Sequence, residues 1–461
     1  MLDRHPRFAI LPSDDMRQLT PNAAQNVAAG LSGAQNDSAS GAAFSIRFRF
    51  GFYKCRLSDF CLVVLLLLMI LVGTACRTTA RRLVSDPRPA IAHLQAGGSI
   101  QTEADNLVKP LLASGEVYGM VVGVVTPDGK TQTFGYGRTG GPGDANPPDG
   151  NSLFQIGSLS KLFTETLFVR LMQEGRLRYD DTVRGILPTN IPVSVDAGRL
   201  TLYQLATHTS GLPREPFTLG QLHSFVDYMI TGRNLYAHLT VPYLLEYLRD
   251  CHPRPKEPGE YVYSNFGAGL LAYLIQQKTG RPATDLIVEK ICRPLNMTNS
   301  VFTLDPGQQN RLTVGHVGNQ AWGKSANHPL APWDMGDLMQ PVAGMYSTAN
   351  DLLIFAKANL GLLPTPLAAA LAATHQEQVK TARGGESLGW IIYKYDPEQQ
   401  TITFKDGVLS GYCAYIGLNL DTRTAVVVLA NKFSWDEKVG MNLLLRVSGS
   451  CVSGQMKSFA Q

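Results

Sequence analysis

The strand-like segments of this chain lie at the two ends of one long segment, which limits the folds it can adopt. Near the N-terminal end, residues 120–125 and 131–136 flank the turn residues Pro127-Asp128-Gly129, which predicts a β-hairpin. Near the C-terminal end, β-rich runs predict strands over residues 390–393, 401–405, 413–420 and 424–429. Helical patterns occupy most of the intervening chain. The order predicts an α/β (α+β) fold, with one antiparallel sheet flanked by helices and an inserted, mostly helical lobe.

The domain organisation follows from this pattern. The length of 461 residues would allow two or three domains. Because the two groups of strands are expected to share one sheet, residues 101–450 are predicted to form a single domain with two lobes. Helices are predicted over residues 104–114, 158–174, 242–249, 266–278, 349–360 and 437–447.

The N-terminal residues have a different character. Residues 1–54 are rich in small and polar residues without periodicity, which predicts disorder. The apolar run 62–72 follows several basic residues and is shorter than the roughly 20 residues that a spanning helix needs. With the small residues Gly73-Thr74-Ala75 after it, segment 55–76 is predicted to be an export signal, and an uncleaved membrane anchor is the alternative. Residues 77–100 are interpreted as a linker.

Charge and cysteine content exclude some function classes. The net charge is only +4 and no basic run occurs, so we expect no nucleic-acid partner. Four of the seven cysteines follow residue 76, and they could pair after export or remain as buried thiols. No Cys-x-x-Cys and no His/Cys cluster with metal-ligand spacing is present, so we expect no metal.

The helix predicted over residues 158–174 carries a possible nucleophile. Ser158 lies in its first turn, and Lys161 lies three residues later on the same face. An amine at this distance can help to take the hydroxyl proton, and the helix N-terminus favours negative charge near Ser158. One Ser-x-x-Lys is expected by chance in a chain of this length, so an ordinary capping serine and a solvated lysine are the alternative.

Two later motifs could complete such a site. Tyr263-Ser264-Asn265 offers a phenol that a lysine charge would make easier to ionise, and an amide that can bind a substrate amide. Lys405-Asp406-Gly407 ends a predicted strand, where a lysine can bind a carboxylate and a glycine permits close approach. Taken singly, each has a plainer alternative: a core tyrosine with a capping asparagine, and a solvated lysine before an Asp-Gly turn.

Taken in order, the three motifs resemble those of the serine β-lactamase and penicillin-binding protein superfamily, most closely the class C type. Residues 205–213, 293–297 and 347–352 are also similar, and the resemblance spans roughly residues 101–450. It implies the following site: catalytic Ser158, Lys161 and Tyr263; substrate-binding Asn265, Lys405 and Gly407; and an oxyanion hole formed by the backbone N–H groups of Ser158 and Val408. Asp406 departs from the usual Thr or Ser, which puts the substrate in question.

The resemblance implies an exported bacterial serine hydrolase that needs no cofactor. The expected activity is a D-alanyl-D-alanine carboxypeptidase/endopeptidase on peptidoglycan stem peptides that also binds penicillins. A β-lactamase, a small-ester esterase and a non-catalytic receptor for β-lactams or wall fragments are the alternatives. The end of the signal resembles that of a lipoprotein, in which Cys76 would be lipidated, although Gly73 departs from that pattern. We therefore expect a periplasmic, membrane-attached monomer.

Three further features resemble functional motifs and are interpreted as structural. Lys278-Thr279-Gly280 ends an apolar helix, so its glycine is predicted to be a helix cap. Gly385-Glu386-Ser387-Leu388-Gly389 matches a nucleophile elbow, but no histidine follows it and a strand, not a helix, comes next. His208 lies in a Thr-rich turn and is interpreted as a scaffold residue.

Overall fold

One antiparallel sheet of eight strands organises the protein. The computed structural model describes residues 99–140, 144, 146–216, 219–253, 259–318, 327–381, 384–395, 400–409, 411–433 and 438–452. The predicted disordered segment, the export signal with Cys76 and nearly all of the linker lie outside these residues.

The described strands are β1 (Gly119–Val125), β2 (Thr131–Gly137), β3 (Phe154–Gln155), β4 (Gly315–His316), β5 (Pro329–Leu330), β6 (Tyr346–Ser347), β7 (Val379–Thr381), β8 (Gly384–Glu386), β9 (Ile391–Tyr395), β10 (Gln400–Leu409), β11 (Tyr412–Asn419) and β12 (Thr424–Ala430). The large sheet has the order β2-β1-β12-β11-β10-β9-β8-β7. The N-terminal hairpin therefore joins the C-terminal strands through the β1–β12 pair, as the sequence predicts.

The described α-helices are α1 (Ile100–Ala113), α2 (Ser160–Gln173), α3 (Val183–Ile186), α4 (Val195–Gly198), α5 (Leu202–Ala206), α6 (Leu219–Thr231), α7 (Val241–Asp250), α8 (Asn265–Thr279), α9 (Ala283–Ile287), α10 (Pro306–Gln309), α11 (Gly336–Ala343), α12 (Ala349–Asn359), α13 (Ala368–Thr374) and α14 (Lys438–Val452). Short 3-10 helices span Gly157–Leu159 and Arg293–Leu295, and a π-helix spans Val288–Cys292. Among the described helices, none is both long and apolar enough to cross a membrane.

The sheet separates two apolar cores. Side chains alternate along β1, so Val122 and Val124 face the core under α1 and α14, whereas Val121 and Val125 face the larger core of the helical lobe. Every residue of β1 and β12 is buried, which explains why both segments are continuous apolar runs in the sequence. The sheet is thus covered on both faces, and β10, which carries Lys405 and Gly407, lies in its interior between β11 and β9.

Several predicted boundaries differ from the structure, and α14 ends at Val452, where the sequence predicts an end at residue 447. Two of the differences have a clear physical cause. Helix α1 begins at Ile100, four residues before the predicted start, because the Ser99 side chain accepts a hydrogen bond from Thr102 N and caps the helix. Strand β10 continues to Leu409, so Lys405-Asp406-Gly407 lies inside a strand, not at its end. Asp and Gly are disfavoured in strands, but pairing with Tyr415 and Ala414 of β11 overrides that preference.

The structural interpretation of the look-alike motifs is confirmed. Gly280 is the left-handed cap of α8 (φ +71°), and its N–H donates to Gln276 O. Gly385 and Glu386 lie in β8, and the next element is the strand β9, not the helix that a nucleophile elbow requires. Cys251 and Cys292 are free thiols, which favours the unpaired alternative for these two.

Candidate active site

Ser158 lies in the tight turn that leads into α2. Gly157, at φ +53°, begins a 3-10 turn in which Leu159 N donates to Ile156 O at 3.2 Å. The neighbouring hydroxyl of Ser160 is buried and donates to Gly157 O at 2.7 Å, which fixes the turn. Ser158 is the partly exposed serine of the pair, so its hydroxyl is available to a substrate.

Lys161 lies in the first turn of α2 and contacts the Ser158 hydroxyl. Its Nζ donates to Ser158 Oγ at 3.1 Å and to Val342 O at 3.1 Å. The side chain is 1% exposed, and this burial lowers the pKa of Lys161; the Lys405 charge acts in the same direction, while Tyr263 opposes it. A lysine with a lowered pKa can exchange a proton with a neighbouring hydroxyl.

Tyr263 approaches Ser158 from the helical lobe. Its hydroxyl donates to Ser158 Oγ at 3.1 Å. Burial alone would raise the pKa of Tyr263, but the charges of Lys161 and Lys405 outweigh it and lower the pKa to about 8. Their ammonium groups lie 5.3 and 5.2 Å from the centre of the phenol ring. A phenol of this pKa can act as a general base near neutral pH.

His208 packs against Tyr263 and contacts the backbone of the next residue. The two ring centres are 4.6 Å apart, and His208 Nδ1 accepts a hydrogen bond from Ser264 N at 3.3 Å. Burial, together with the Lys161 charge, lowers the pKa of His208 to about 3, so the ring stays neutral. The interpretation of His208 as a scaffold residue fits these contacts.

Strand β10 passes very close to the turn that carries Ser158. A Cβ atom built on Gly407 would lie 2.1 Å from Ile156 O and 3.0 Å from Ser158 N, and one built on Gly157 would lie 3.0 Å from Val408 N. The two glycines therefore allow the backbones to approach each other. This brings the backbone N–H groups of Ser158 and Val408, the predicted oxyanion hole, close to each other.

Lys405 and Asp406 form an ion pair within β10, with Nζ and Oδ1 3.2 Å apart. Burial alone would lower the pKa of Lys405, but the Asp406 carboxylate raises it well above its usual range. Burial alone would likewise raise the pKa of Asp406, and Lys405 holds it below its usual range. The lysine that the sequence assigns to a substrate carboxylate therefore already has an anionic partner.

Asn265, the first residue of α8, contacts a carboxylate that the sequence analysis missed. Asn265 is 4% exposed, and its Nδ2 donates to Glu215 Oε1 at 2.7 Å. Arg214 Nε lies 3.6 Å from the same oxygen, and its guanidinium lies 5.1 Å from the centre of the Tyr263 ring. In the sequence, the adjacent charges of Arg214 and Glu215, directly after Leu212-Pro213, were the feature that could have pointed to this contact.

Two other acidic residues near the site were also missed. Burial raises the pKa of Glu386 to about 7, against the Lys405 charge, and its carboxyl is hydrogen-bonded to Tyr261. Glu165 is 2% exposed, its Oε2 has no partner, and burial raises its pKa to about 8 against the Lys161 charge. Glu165 was detectable as an acidic residue within an apolar helix, one turn after Lys161.

The residues predicted to act together are thus close in space: Ser158, Lys161 and Tyr263 share hydrogen bonds, and Lys405 and Gly407 border them. No group of three or more His, Cys, Asp or Glu residues in the described ranges could hold a metal ion.

Comparison with known proteins decides the family. The sequence profile described as "Beta-lactamase" matches residues 104–448, well over half of the chain. The chain belongs to the Beta-lactamase family. It is a serine hydrolase of the β-lactamase and penicillin-binding protein type, as the order of the three motifs predicts.

Relatives in this family have more than one activity. The chain is 32% identical over 237 residues to the D-alanyl-D-alanine-carboxypeptidase/endopeptidase AmpH of Escherichia coli K12, a match that covers 51% of this chain and 55% of that protein. This chain therefore spans only about half the length of that relative. It is 25% identical over 370 residues to a beta-lactamase of Pseudomonas fluorescens, covering 72% of this chain and 94% of that protein.

Comparison with solved structures shows the fold. A class C beta lactamase from Rhodobacter sphaeroides matches with a TM-score of 0.63 and 23% identity, covering 76% of this chain and 99% of that one. At this identity the likeness shows the fold alone. The predicted sheet with an inserted helical lobe is confirmed.

Proposed function

We propose that the protein is a D-alanyl-D-alanine carboxypeptidase/endopeptidase of peptidoglycan stem peptides that is acylated at Ser158, also by penicillins. The observation that carries the proposal is the shared contact at the Ser158 hydroxyl. Lys161 Nζ and Tyr263 OH each lie 3.1 Å from Ser158 Oγ, and both pKa values are lowered. The name of the relative AmpH gives the substrate class.

The catalytic sequence starts with proton transfer. Ser158 Oγ attacks the carbonyl carbon of the penultimate residue while its proton passes to Tyr263 or Lys161. The negative charge that develops on the carbonyl oxygen is stabilised by the N–H groups of Ser158 and Val408. The same proton is then given to the leaving amine, the C–N bond breaks and D-alanine departs. A water molecule then attacks the acyl-enzyme and passes a proton to Tyr263 or Lys161. The ester C–O bond breaks, that proton returns to Ser158 Oγ, and the shortened peptide leaves as a carboxylic acid.

The residues around Ser158 orient the substrate. Asn265 binds an amide of the acyl part, Lys405 binds the terminal carboxylate of the leaving D-alanine, and Gly407 lets the substrate backbone approach β10. The chemistry needs no cofactor. We further propose an exported protein that is held at the membrane through segment 55–76 or a lipid on Cys76.

The test is product analysis with an acylated D-alanyl-D-alanine peptide and with penicillin. The proposed function predicts release of free D-alanine, together with a long-lived penicillin adduct. Rapid penicillin hydrolysis without D-alanine release would instead indicate a β-lactamase. Binding of a β-lactam without acylation of Ser158 and without turnover of either substrate would indicate a receptor.

A second candidate, a hydrolase of small acyl esters, is favoured by the Lys405–Asp406 ion pair. The 3.2 Å contact gives Lys405 an anion of its own, and Glu386 adds a second carboxyl nearby. A free carboxylate on a substrate must therefore compete with Asp406 for Lys405, whereas an ester without a carboxylate need not.

Replacing Asp406 by Thr is expected to raise kcat/KM for substrates with a terminal carboxylate by about tenfold or more, because Lys405 loses its competing anion and a neighbouring hydroxyl is gained. The measurement compares acyl-D-alanyl-D-alanine with its methyl ester in both proteins. The preference should shift toward the free carboxylate. An unchanged preference would mean that Asp406 does not control access to Lys405.

A further inference from the structure

Glu165 is a buried carboxyl that the proposed mechanism does not use. It lies within α2, where most side chains are buried, and it is itself 2% exposed. Its Oε2 atom has no hydrogen-bond partner among the described residues. An unpaired carboxyl in an apolar interior costs free energy unless it holds a proton. Burial accordingly raises the pKa of Glu165 to about 8, although the Lys161 charge opposes this shift.

The spacing along α2 places Glu165 on the same face as the catalytic lysine. Lys161 precedes it by four residues, and Ser158 precedes it by seven. Residues at these separations lie above one another on a helix, and helical side chains lean toward the N-terminal end. The Glu165 side chain therefore leans toward the turn that carries Lys161.

A segment distant in the chain closes the space around Glu165. Gly389 (φ +82°) passes so close that a Cβ atom built there would lie 3.3 Å from Glu165 Cγ and 3.3 Å from Leu162 Cδ2. Leu388 and Trp390 on either side of this glycine are buried. Helix α13 also packs on α2, and it contains only Ala, Leu and Thr. These neighbours shield Glu165 from water and bring no charge to it.

The other titratable groups near Glu165 do not neutralise its charge. Burial and the Glu165 charge both raise the pKa of Tyr179, so this phenol stays neutral. His375, which follows α13, has its ring centre 5.1 Å from that of Trp390, and burial lowers its pKa to about 4, so it is neutral as well. Among the described residues, Lys161 is the cation that acts on Glu165.

We propose that Glu165 is a positioning residue that acts through Lys161: its ionised carboxylate keeps Lys161 as an ammonium group, which leaves Tyr263 to take the proton of Ser158. As the pH rises, the Glu165 carboxyl releases its proton to solvent, and its negative charge favours the charged form of Lys161. The Lys161 charge in turn favours the Tyr263 phenolate. The inference concerns the activation of Ser158 by any acylating substrate, so it goes beyond the choice of substrate.

The test compares the pH dependence of penicillin acylation in the wild type, Glu165→Gln and Glu165→Leu. Both substitutions remove the charge, and Leu suits the apolar surroundings if an unpaired amide destabilises the fold. Below about pH 7, where Glu165 is protonated, the three proteins should acylate within about twofold of one another. Between about pH 8 and 9 the variants should be about three- to tenfold slower, because the rise that depends on Tyr263 moves to higher pH by about half to one pH unit.

Glu174→Gln is the matched control. Glu174 directly follows α2, but its carboxylate is paired with Lys290 at 2.9 Å, so its loss should leave the pH profile unchanged. A direct readout is a ¹³C NMR titration of the glutamate carboxyls. One carboxyl with a midpoint near pH 8 should be present in the wild type and absent from Glu165→Gln.

Several results would overturn the inference. An equal loss of acylation at pH 6.5 and at pH 8.5 is the result of a purely structural role. Variants that acylate faster than the wild type above pH 8 would mean that the free amine of Lys161 is the base. An unchanged profile, or the lack of a glutamate that titrates near pH 8, would also contradict it. The proposed function fails by a different result, the absence of D-alanine release, which leaves the penicillin comparison intact.

Discussion

Replacing Tyr263 by Phe is expected to lower kcat/KM for acylation of Ser158 by about 10²- to 10⁴-fold, the usual contribution of a general base. The substitution removes the hydroxyl that lies 3.1 Å from Ser158 Oγ and keeps the ring packed against His208. Stopped-flow acylation kinetics with a penicillin or an activated ester provide the measurement. A loss of less than about threefold would remove Tyr263 from proton transfer and leave Lys161 as the base.

The pH profile gives an independent readout of the same substitution. The pKa of Tyr263 is lowered to about 8, so the phenolate forms as the pH rises through 8 and wild-type acylation should accelerate there. Phe at position 263 should abolish that rise. Tyr261→Phe is the matched control: burial raises the pKa of Tyr261, so it stays protonated and the rise near pH 8 should persist without it.

Replacing Gly407 by Ala is expected to lower the acylation rate constant by about 10²-fold or more. The new Cβ would lie 2.1 Å from Ile156 O, so β10 must move away from the Ser158 turn. That movement separates the amides of Ser158 and Val408, and loss of one oxyanion donor costs about 10²- to 10³-fold. We expect the unfolding free energy to fall by about 1–3 kcal/mol, as for other overpacked sites.

Gly280→Ala is the control for Gly407→Ala. A side chain at Gly280 would also strain the backbone, because φ there is +71°. A Cβ atom at Gly280 would meet open space, however, and Gly280 caps the end of α8 opposite Asn265. Both variants should lose stability in thermal unfolding, and only Gly407→Ala should lose acylation. Equal acylation in the two variants would contradict the assigned role of β10.

Much of the fold could be predicted because its signals are local. The apolar runs of β1 and β12, the helical period of α2 and the left-handed cap at Gly280 depend on residues close in the chain. The extension of β10 could not be predicted in this way. Asp406 and Gly407 favour a turn by local preference, and only their pairing with β11 keeps them in the strand.

The residues of the candidate site also fall into those that local sequence patterns could predict and those that depend on distant contacts. Ser158, Lys161, Tyr263, Asn265 and Lys405 could be proposed because their spacing follows a known order of motifs. Glu215, Glu386 and Glu165 could not, because each acquires its role from burial and from a partner distant in the chain. Asn265 and Glu215 are 50 residues apart in the sequence, so no local sequence pattern predicts their contact.

The central claim is that Ser158 forms the acyl-enzyme, and intact mass spectrometry with penicillin tests it most directly. Wild-type protein and Ser158→Ala are mixed with the drug and quenched in acid from milliseconds to minutes. The account predicts a mass increase of one whole penicillin in the wild type, located on the peptide that contains Ser158, and none in Ser158→Ala. An adduct that persists in Ser158→Ala, or unmodified wild-type protein beside intact drug at every time, would contradict it.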